Sequence, residues 1–291
     1  MEVIVLQSAN TRVELLPQRG GAIGRYLTES GAQSYDWLRP AGVEHPSAFP
    51  MVPFCSRIRN ARFCFAERTV QLAANLPPEP HAIHGHGWQN PWQVSAQADA
   101  SAVLEYRHRA DAWPWDYHAR QKFALAGDRL TVSLSVRNAG LTPMPAGLGL
   151  HPFFLRTPGV QLQALVTERW EMDEQVMPLQ RVPLGGSDLA SGIDVAGTVL
   201  DTVFAGWDQR FRLHWPEWEA GLSVRAAQVF AHLVVYTPAG EDFFCVEPAS
   251  NVTDAFNMLW HGDAGHGAVV LEPGETLAGA IEFTPRYAPA G

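Results

Sequence analysis

Glycine and proline are spread through this chain so evenly that they limit the elements it can form. The sequence has 25 glycines and 22 prolines among 291 residues. Because these residues interrupt helices and mark turns, the short segments between them favour strands over long helices. The clearest strand is at residues 129–137, where Leu130, Val132, Leu134 and Val136 alternate with polar residues, the period of a half-buried strand. We therefore predict an all-β fold, a large antiparallel sandwich with few short helices.

Many other segments share this strand character and are bounded by turn residues. Strands are predicted at residues 2–6, 11–16, 68–73, 101–108, 118–125, 160–166, 198–204, 209–215, 221–225, 230–236, 243–246, 268–272 and 276–284. A single short helix is predicted near residues 252–259. A hairpin turn is predicted at Gly127-Asp128, between the strands at 118–125 and 129–137. The segments 40–55, which has four prolines, and 173–197 are predicted to be mostly irregular. No repeat, linker or change of composition divides the chain, so residues 1–291 are predicted to form one domain.

Acidic residues outnumber basic ones, 30 against 21, and the formal net charge is −9. Such a surface repels nucleic acid, and no Lys/Arg cluster in the sequence offsets it, so no nucleic acid partner is expected. No apolar stretch reaches the roughly 18 residues of a membrane span, so no membrane association is expected. Three cysteines without CxxC spacing, together with a first strand that has no basic leader, predict reduced thiols and a cytoplasmic location.

Two predicted strand ends share one pattern, in which apolar residues are followed by a titratable residue and then by proline. These are the sequences LHP at 150–152, which follows a glycine-spaced apolar run, and VEP at 246–248. Because proline cannot donate to a strand ladder, each strand is predicted to end or bulge at His151 or Glu247. A loop rich in proline and histidine contributes His84. If these three residues converge, they can exchange protons near neutral pH.

Each of these three residues also has a structural interpretation. His151 can be a core histidine that is hydrogen-bonded to a backbone carbonyl, and His84 can belong to a polar turn. Glu247 is harder to explain in this way, because a glutamate is almost never buried without a partner. A strand-end glutamate is therefore either paired structurally or functional.

Arginine and aspartate side chains supply further binding candidates. Arg57, Arg59 and Arg62 are separated by two and three residues, and we expect one of them to bind a ligand while the other two are solvated or paired with surface acids. Asp201 precedes a predicted strand, where it can cap a turn or bind a ligand hydroxyl.

A metal site was weighed as another interpretation of the histidine loop. The pair His84 and His86 resembles half of a cupin-type site, which needs a carboxylate three to four residues later. Gln89 and Asn90 stand at those positions, and no later segment supplies a matching ligand block, so no metal site is predicted. Nucleotide, acyl-transfer and dithiol chemistry have no support, since no GxGxxG, Walker, GxSxG or CxxC motif occurs.

Four motifs, taken in order, resemble those of the aldose 1-epimerase (galactose mutarotase) family. They are Ser56-Arg57-Ile58 with Phe63, Ile83-His84-Gly85 with Trp92, Gly149-Leu150-His151-Pro152-Phe153-Phe154, and Glu247-Pro248 with Asn257. The resemblance covers roughly residues 15–285. Two positions depart from the usual pattern of the family, since Ser56 stands in place of asparagine and His86 in place of glycine.

The resemblance implies a galactose mutarotase-like β-supersandwich and an isomerase that requires no metal or redox cofactor. The implied substrate is a free hexose such as galactose or glucose, whose α and β anomers interconvert by acid–base ring opening and closure. His151 would be the general acid that protonates the ring oxygen, and Glu247 the general base that takes the proton of the anomeric hydroxyl. The sugar-binding residues would be Arg57, His84, Asp201 and His86.

Two alternatives stay open within the same family. Some relatives act on phosphorylated sugars, and Arg59 or Arg62 could then bind the phosphate of a hexose 6-phosphate. A non-catalytic carbohydrate-binding protein of the same fold is the other alternative. The presence of both His151 and Glu247 argues against it, because a binding protein needs no acid–base pair.

Overall fold

The computed structural model describes residues 2–185 and 188–288. This part of the chain consists mainly of strands, which confirms the all-β prediction. The strands are β1 (Ile4–Ser8), β2 (Thr11–Leu16), β3 (Ala22–Ser30), β4 (Gln33–Asp36), β5 (Ala48–Met51), β6 (Arg57–Ile58), β7 (Arg62–Phe65), β8 (Arg68–Gln71), β9 (Ala82–Ile83), β10 (Gln93–Ala98), β11 (Ser101–His108), β12 (Tyr117–Ala126), β13 (Arg129–Asn138), β14 (Met144–Ala146), β15 (Gly149–Leu155), β16 (Gln161–Ala164), β17 (Glu168–Met172), β18 (Pro178–Pro183), β19 (Ile193–Asp194), β20 (Asp201–Ala205), β21 (Arg210–Trp215), β22 (Ala220–Ala226), β23 (His232–Tyr236), β24 (Phe243–Ala249), β25 (Val269–Leu271) and β26 (Thr276–Arg286). Two short helices accompany them, α1 (Asp188–Ser191) and α2 (Ala255–His261).

Two large antiparallel sheets pack face to face. The first has eleven strands in the order β1-β2-β3-β5-β15-β24-β23-β20-β17-β18, with β4 paired to β3. The second has nine strands in the order β10-β11-β12-β13-β26-β22-β21-β16-β19. Side chains from both sheets, such as Phe154, Phe123 and Phe211, form one buried apolar core, the arrangement of a sandwich.

The hairpin β12–β13 shows how local pattern produces the second sheet. Its register pairs Ala126 with Arg129 around the predicted turn at Gly127 and Asp128. Every second residue of β13 is buried, from Leu130 onward, and the alternate residues face solvent or are half-buried. The predicted strand and turn are therefore confirmed, because a period of two allows only one face to reach the core.

The first sheet differs, because its central strands β15 and β24 are buried on both faces. Phe154 and Phe244 point into the core between the sheets. Their neighbours Phe153 and Phe243 point the other way and join a second apolar cluster on the outer face. Strands that are buried on both faces read as continuous apolar runs, and six of the seven residues of β15 are buried. This outer face is where the candidate site lies.

Strands β15 and β24 continue through their prolines, so the prediction that they end or bulge at His151 and Glu247 is wrong. The register between them pairs Gly149 with Ala249 and then Phe153 with Cys245. The intervening positions, which contain both prolines, form no ladder pairs between these two strands. The missing N–H groups therefore fall where the ladder is already interrupted, and both strands extend beyond them.

Two segments that were predicted to be irregular contain regular structure. The segment 40–55 includes β5, a buried strand between β3 and β15. It tolerates Pro50 because its pairing with β3 is confined to one position, Ala48. The segment 173–197 includes β18, α1 and β19, and its residues 186–187 lie outside the described part. Strand pairing with distant segments decided both cases.

Other predictions differ from the structure by small shifts. The first strand was predicted at 2–6 and lies at Ile4–Ser8, and the helix predicted near 252–259 is α2. That helix is not single, because α1 forms one further turn. Within the described residues, no helix is both long and apolar enough to cross a membrane. The three cysteines are free thiols, as predicted.

Candidate active site

The sheet register brings His151 and Glu247 to the same place on the outer face. Because Gly149 pairs with Ala249 and Phe153 with Cys245, His151 lies directly across from Glu247 on the neighbouring strand. Side chains on alternate residues share a face, so both point away from the core, as Phe153 and Cys245 do. The repeated sequence pattern of a titratable residue and proline therefore marks one pair of opposed side chains.

His151 and Glu247 form a close and buried contact. Nε2 of His151 lies 3.2 Å from Oε1 of Glu247, and the two residues are 8% and 2% exposed. The imidazole stacks between the rings of Phe49 and Phe153, with centroid distances of 4.5 and 4.7 Å. His84 meets it edge-on at 5.1 Å. Aromatic packing thus holds the ring beside the carboxyl group.

Burial changes the proton affinities of this pair in opposite directions. It lowers the pKa of His151 to about 3 and raises the pKa of Glu247 well above its ordinary value, because a low-dielectric site disfavours either charge. The free protein therefore favours a neutral imidazole beside a protonated carboxyl group. This state has as many protons as an imidazolium–carboxylate pair, and transfer of one proton across the contact interconverts the two.

Two polar atoms of the pair have no partner. Nδ1 of His151 and Oε2 of Glu247 are buried and make no hydrogen bond to any described residue. Buried polar atoms are nearly always hydrogen-bonded in native proteins. Such exceptions, in a pair beside a cavity, indicate that a ligand completes the hydrogen bonding.

His84 is held in place by a tightly constrained loop. It has a positive φ of 57°, and Gly85 follows with φ of 69°. A Cβ at Gly85 would lie 2.0 Å from the carbonyl oxygen of Val52, so glycine is required there. Nδ1 of His84 accepts the backbone N–H of Ser56 at 3.2 Å, which leaves Nε2 to carry the hydrogen in the neutral ring. Burial lowers the pKa of His84 well below its usual value, so the ring acts as a neutral donor.

Arg57 lies beside the same cavity and is engaged by carboxylates. Its guanidinium donates twice to Glu79, with both distances 2.8 Å, and lies 3.9 Å from Asp201. The arginine holds the pKa of Glu79 below its ordinary value. Burial raises the pKa of Asp201, although Arg57 opposes that rise. A bidentate pair of this kind fixes the plane of the guanidinium group.

A cavity of about 290 Å³ lies at this site, close to the lower end of the usual range for small-ligand sites, roughly 300–1,000 Å³. His151 is not among the residues that line it. Four predicted site residues line it, namely Arg57, His84, Asp201 and Glu247. Its aromatic wall is formed by Phe153, Tyr236 and Phe243, and its outer lining includes Glu44, His45 and Glu241. A space of this size suits a small ligand.

The structure does not bring His86 to this cavity. Its ring stacks on His108 at 4.6 Å, and its Nδ1 lies 3.3 Å from the hydroxyl group of Tyr117. The chain turns through Gly85 between the two histidines, so His84 and His86 diverge. The expected contact of His86 with a sugar is not supported by this position, and neither is the pairing required for a cupin-type site.

Arg59 and Arg62 also lie away from the cavity lining. Arg59 is 3.4 Å from Asp173 and 3.6 Å from Asp254. Arg62 is exposed at the start of β7. Of the three arginines considered from the sequence, the structure therefore brings only Arg57 to the site.

Several site residues were missed from the sequence. Glu79, which fixes Arg57, stands in the proline-rich loop, where it looks like an ordinary exposed acid. Phe49, which stacks on His151, lies in the segment that was predicted to be irregular. Glu44 and Glu241 come from two separate loops. None of these has a local signal, because each acquires its position through contacts with distant parts of the chain.

One group of possible metal ligands occurs at the site. Donor atoms of His151, Cys245 and Glu247 lie within 4.8 Å of one another. Burial raises the pKa of the Cys245 thiol well above its ordinary value, whereas a metal ligand must be the thiolate. The donor set therefore fits a metal poorly and suits proton transfer better.

Comparison with known proteins places the chain in a family. The family model described as aldose 1-epimerase matches residues 2–284. The uncharacterized Escherichia coli K12 protein YphB is 28% identical, over 97% of this chain and 98% of its own length. A crystal structure of a candidate aldose 1-epimerase from Escherichia coli K12 matches with a TM-score of 0.87 and 26% identity, over 99% of both chains. A galactose mutarotase-like protein from Clostridium acetobutylicum matches with a TM-score of 0.82 at 16% identity, over 98% of this chain and 95% of its own. These likenesses confirm the expected galactose mutarotase-like fold.

Proposed function

Since this chain belongs to the aldose 1-epimerase family, we propose that it interconverts the α and β anomers of a free hexose such as galactose or glucose. The observation that carries this proposal is the buried pair of His151 and Glu247, with one unpartnered atom on each residue. Mutarotation needs one acid and one base close to the anomeric centre, and this pair supplies both. The reaction needs no redox step, and the isomerase requires no cofactor for it.

Glu247 acts as the base in this mechanism. When the sugar enters, its anomeric hydroxyl donates to the unpartnered Oε2, and this hydrogen bond favours the carboxylate form. The proton shared with His151 then moves to the imidazole across the 3.2 Å contact. The binding of substrate thus converts a neutral pair into the charged pair that the chemistry needs.

Ring opening and closure use the same two groups in turn. Glu247 takes the proton of the C1 hydroxyl while His151 gives a proton to the ring oxygen, and the C1–O5 bond breaks to leave an aldehyde. Rotation about C1–C2 presents the other face of the aldehyde. On closure the ring hydroxyl returns its proton to His151, and Glu247 gives its proton to the carbonyl oxygen. Each such proton transfer contributes roughly 10²–10⁴-fold to the rate.

The remaining lining residues orient the sugar. His84 presents a neutral N–H donor beside His151, and Arg57 and Asp201 present a donor and an acceptor. The aromatic wall packs against the apolar face of the sugar ring. Together these contacts hold the anomeric centre at the acid–base pair.

A free sugar fits the cavity better than a phosphosugar. The lining contains five carboxyl groups but only one guanidinium, that of Arg57, and Glu79 already engages it with two hydrogen bonds. Arg59 and Arg62, the proposed phosphate ligands, lie elsewhere. A dianionic phosphate would meet repulsion here and find no unengaged cation.

The proposal is tested by following anomer exchange in NMR spectra of fresh α-galactose and α-glucose. We expect the protein to accelerate exchange above the spontaneous rate, and Glu247→Gln to reduce the acceleration by about 10²–10⁴-fold. Glu2→Gln makes the same substitution at an exposed residue, and it should leave the exchange rate unchanged. Wild-type exchange in Glu247→Gln, or no acceleration with any free hexose, would contradict the proposal.

A further inference from the structure

The cavity that contains Glu247 has an excess of negative charge at its mouth, by which we mean the exposed part of the lining at Glu44 and Glu241. Five carboxyl groups line it, and they come from separate parts of the chain, namely Glu44, Glu79, Asp201, Glu241 and Glu247. Glu79 is neutralised by Arg57, and burial raises the pKa of Glu247, which disfavours its charged form. Glu44 and Glu241 are both exposed, and neither forms an ion pair with any described residue. Their charges therefore face an incoming ligand.

Nearby cations do not offset these two charges. Arg39 is paired with Asp242 at 2.8 Å, and Arg19 donates to the carbonyl oxygens of Gly42 and Val43. Neither arginine lines the cavity. The imidazole of His45 lies next to Glu44 in the lining, and burial lowers its pKa, so it is neutral near neutral pH.

Aromatic faces lie next to the charged mouth. His45 stacks on Phe153 at 5.1 Å and approaches Phe243 at 5.3 Å. These ring faces are already in contact with side chains of the protein, because His151 also stacks on Phe153 at 4.7 Å and the guanidinium of Arg39 lies 5.6 Å from the centroid of Phe243. A second and independent sign of a ligand is Oε2 of Glu247, a buried acceptor without a partner in the same cavity. The two unpaired carboxylates of Glu44 and Glu241, together with this free acceptor, fit a sugar that has a positively charged substituent.

We propose that this site takes an aminohexose, a hexose with a protonated amine, in preference to the corresponding neutral hexose, and that Glu44 and Glu241 determine this preference. The proposal rests on the proposed mutarotase function for turnover, but not for binding. The amine would donate hydrogen bonds to the mouth carboxylates while the anomeric centre reaches His151 and Glu247. The same charges would reject hexoses that carry a phosphate or a carboxylate.

The test compares galactosamine with galactose and glucosamine with glucose, at a pH at which the amine is protonated. Anomer exchange by NMR gives kcat/KM, and calorimetry gives Kd. We expect each amine to have a higher kcat/KM and a lower Kd than its neutral parent. The double variant Glu44→Gln/Glu241→Gln should reduce the ratio of the amine's kcat/KM to that of its parent by roughly tenfold, the effect of losing two nearby surface charges. Glu2→Gln/Glu29→Gln, which alters net charge equally at exposed positions, should keep the wild-type ratio.

The outcomes separate this proposal from the mutarotase function. Turnover of neutral hexoses with no preference for the amines would overturn the charge proposal alone. An equal loss of ratio in both double variants would also overturn it, because the effect would then come from net charge. If no sugar is turned over, the mutarotase proposal fails, while the ratio of Kd values still decides whether the mouth selects amines.

Discussion

At the scale of single residues, the burial of His151 and Glu247 disfavours the charged form of each side chain. Burial lowers the pKa of His151 to about 3 and raises that of Glu247. A structural ion pair would show the opposite shifts, with the carboxyl pKa lowered and the imidazole pKa raised. The pair therefore reduces stability in the free protein, as groups at functional sites often do.

A first prediction concerns the stability of Glu247→Gln. The folded-state pKa of Glu247 lies above its unfolded value near 4.5, so its contribution to stability is complete below that pH and is lost as the pH rises. Glutamine does not ionise and avoids this loss. We expect the melting temperature of the variant to exceed that of the wild type by about 2–4 °C per kcal/mol gained, with a gap that widens as the pH rises from 4.5 toward the raised pKa of folded Glu247. Calorimetry across that range measures it, and a constant gap would contradict the assigned pKa.

A second prediction concerns Glu79, whose only evident role is to position Arg57. Glu79→Gln removes the charge from a bidentate contact, and hydrogen bonds to charged groups contribute about 1.5–3 kcal/mol. We expect KM for the sugar to rise about tenfold while kcat changes less, because in the proposed mechanism Arg57 binds sugar hydroxyls and does not transfer the proton. Steady-state kinetics by polarimetry separate the two constants. Glu67→Gln, an exposed change in the turn between β7 and β8, is the control, and an equal fall in kcat would contradict a positioning role.

At the scale of elements, the site depends on the register of two strands and on one loop. Strands β15 and β24 bring His151 and Glu247 opposite each other, and a shift of one residue would turn either side chain into the core. His84 directly follows β9, and the loop that continues through Gly85 holds it beside this pair. A bridge between Val52 and Gly85 fixes this loop against the segment that follows β5.

A third prediction compares two glycines with similar backbone angles. Gly85 has φ of 69° and Gly127 has φ of 62°, but a Cβ would meet the Val52 carbonyl only at Gly85 and nothing within 4 Å at Gly127. The left-handed conformation costs a non-glycine residue about 1–2 kcal/mol, and this cost applies to both. We expect Gly85→Ala to lower the free energy of unfolding by several kcal/mol more than Gly127→Ala and to reduce activity strongly. Chemical denaturation measures the difference, and equal effects would show that the close contact is unimportant.

At the scale of the whole molecule, charge is segregated between the faces. Nine exposed basic residues lie on the outer face of the nine-stranded sheet within the described part of the chain, namely Arg107, Arg120, Lys122, Arg129, Arg137, Arg210, Arg212, Arg225 and Arg286. The acidic residues on that face, within the described strands, are Glu105, Asp194 and Glu282. The register even places Arg210 opposite Arg225, a pairing of like charges that destabilises a sheet. The rest of the surface is correspondingly more acidic than the net charge of −9 suggests.

A fourth prediction follows from this segregation. At low ionic strength the protein should bind a cation-exchange resin although its net charge is negative, because the basic face acts locally. Arg210→Ser/Arg225→Ser should elute at a lower salt concentration than the wild type. Arg62→Ser/Arg68→Ser, at exposed positions on a separate hairpin, should shift elution less. Equal shifts would show that net charge alone governs binding.

The sequence by itself determined the features that depend on local order. The period of two in β13 and the even spread of glycine and proline were enough to predict antiparallel strands, because alternation and turn chemistry act over a few residues. The repeated pattern of a titratable residue followed by proline identified His151 and Glu247. The ordered motifs then pointed to the family, and with it to Arg57, His84 and Asp201.

Only the tertiary structure decided which side chains meet. The continuation of β15 and β24 through proline, and the presence of β5 in a proline-rich segment, depended on pairing with strands that are distant in sequence. Loop packing decided three further features. His86 turns away from the cavity, Glu79 pairs with Arg57, and Glu44 and Glu241 form the acidic mouth. No local pattern encodes such contacts, since each is stabilised by neighbours that only the completed fold brings together.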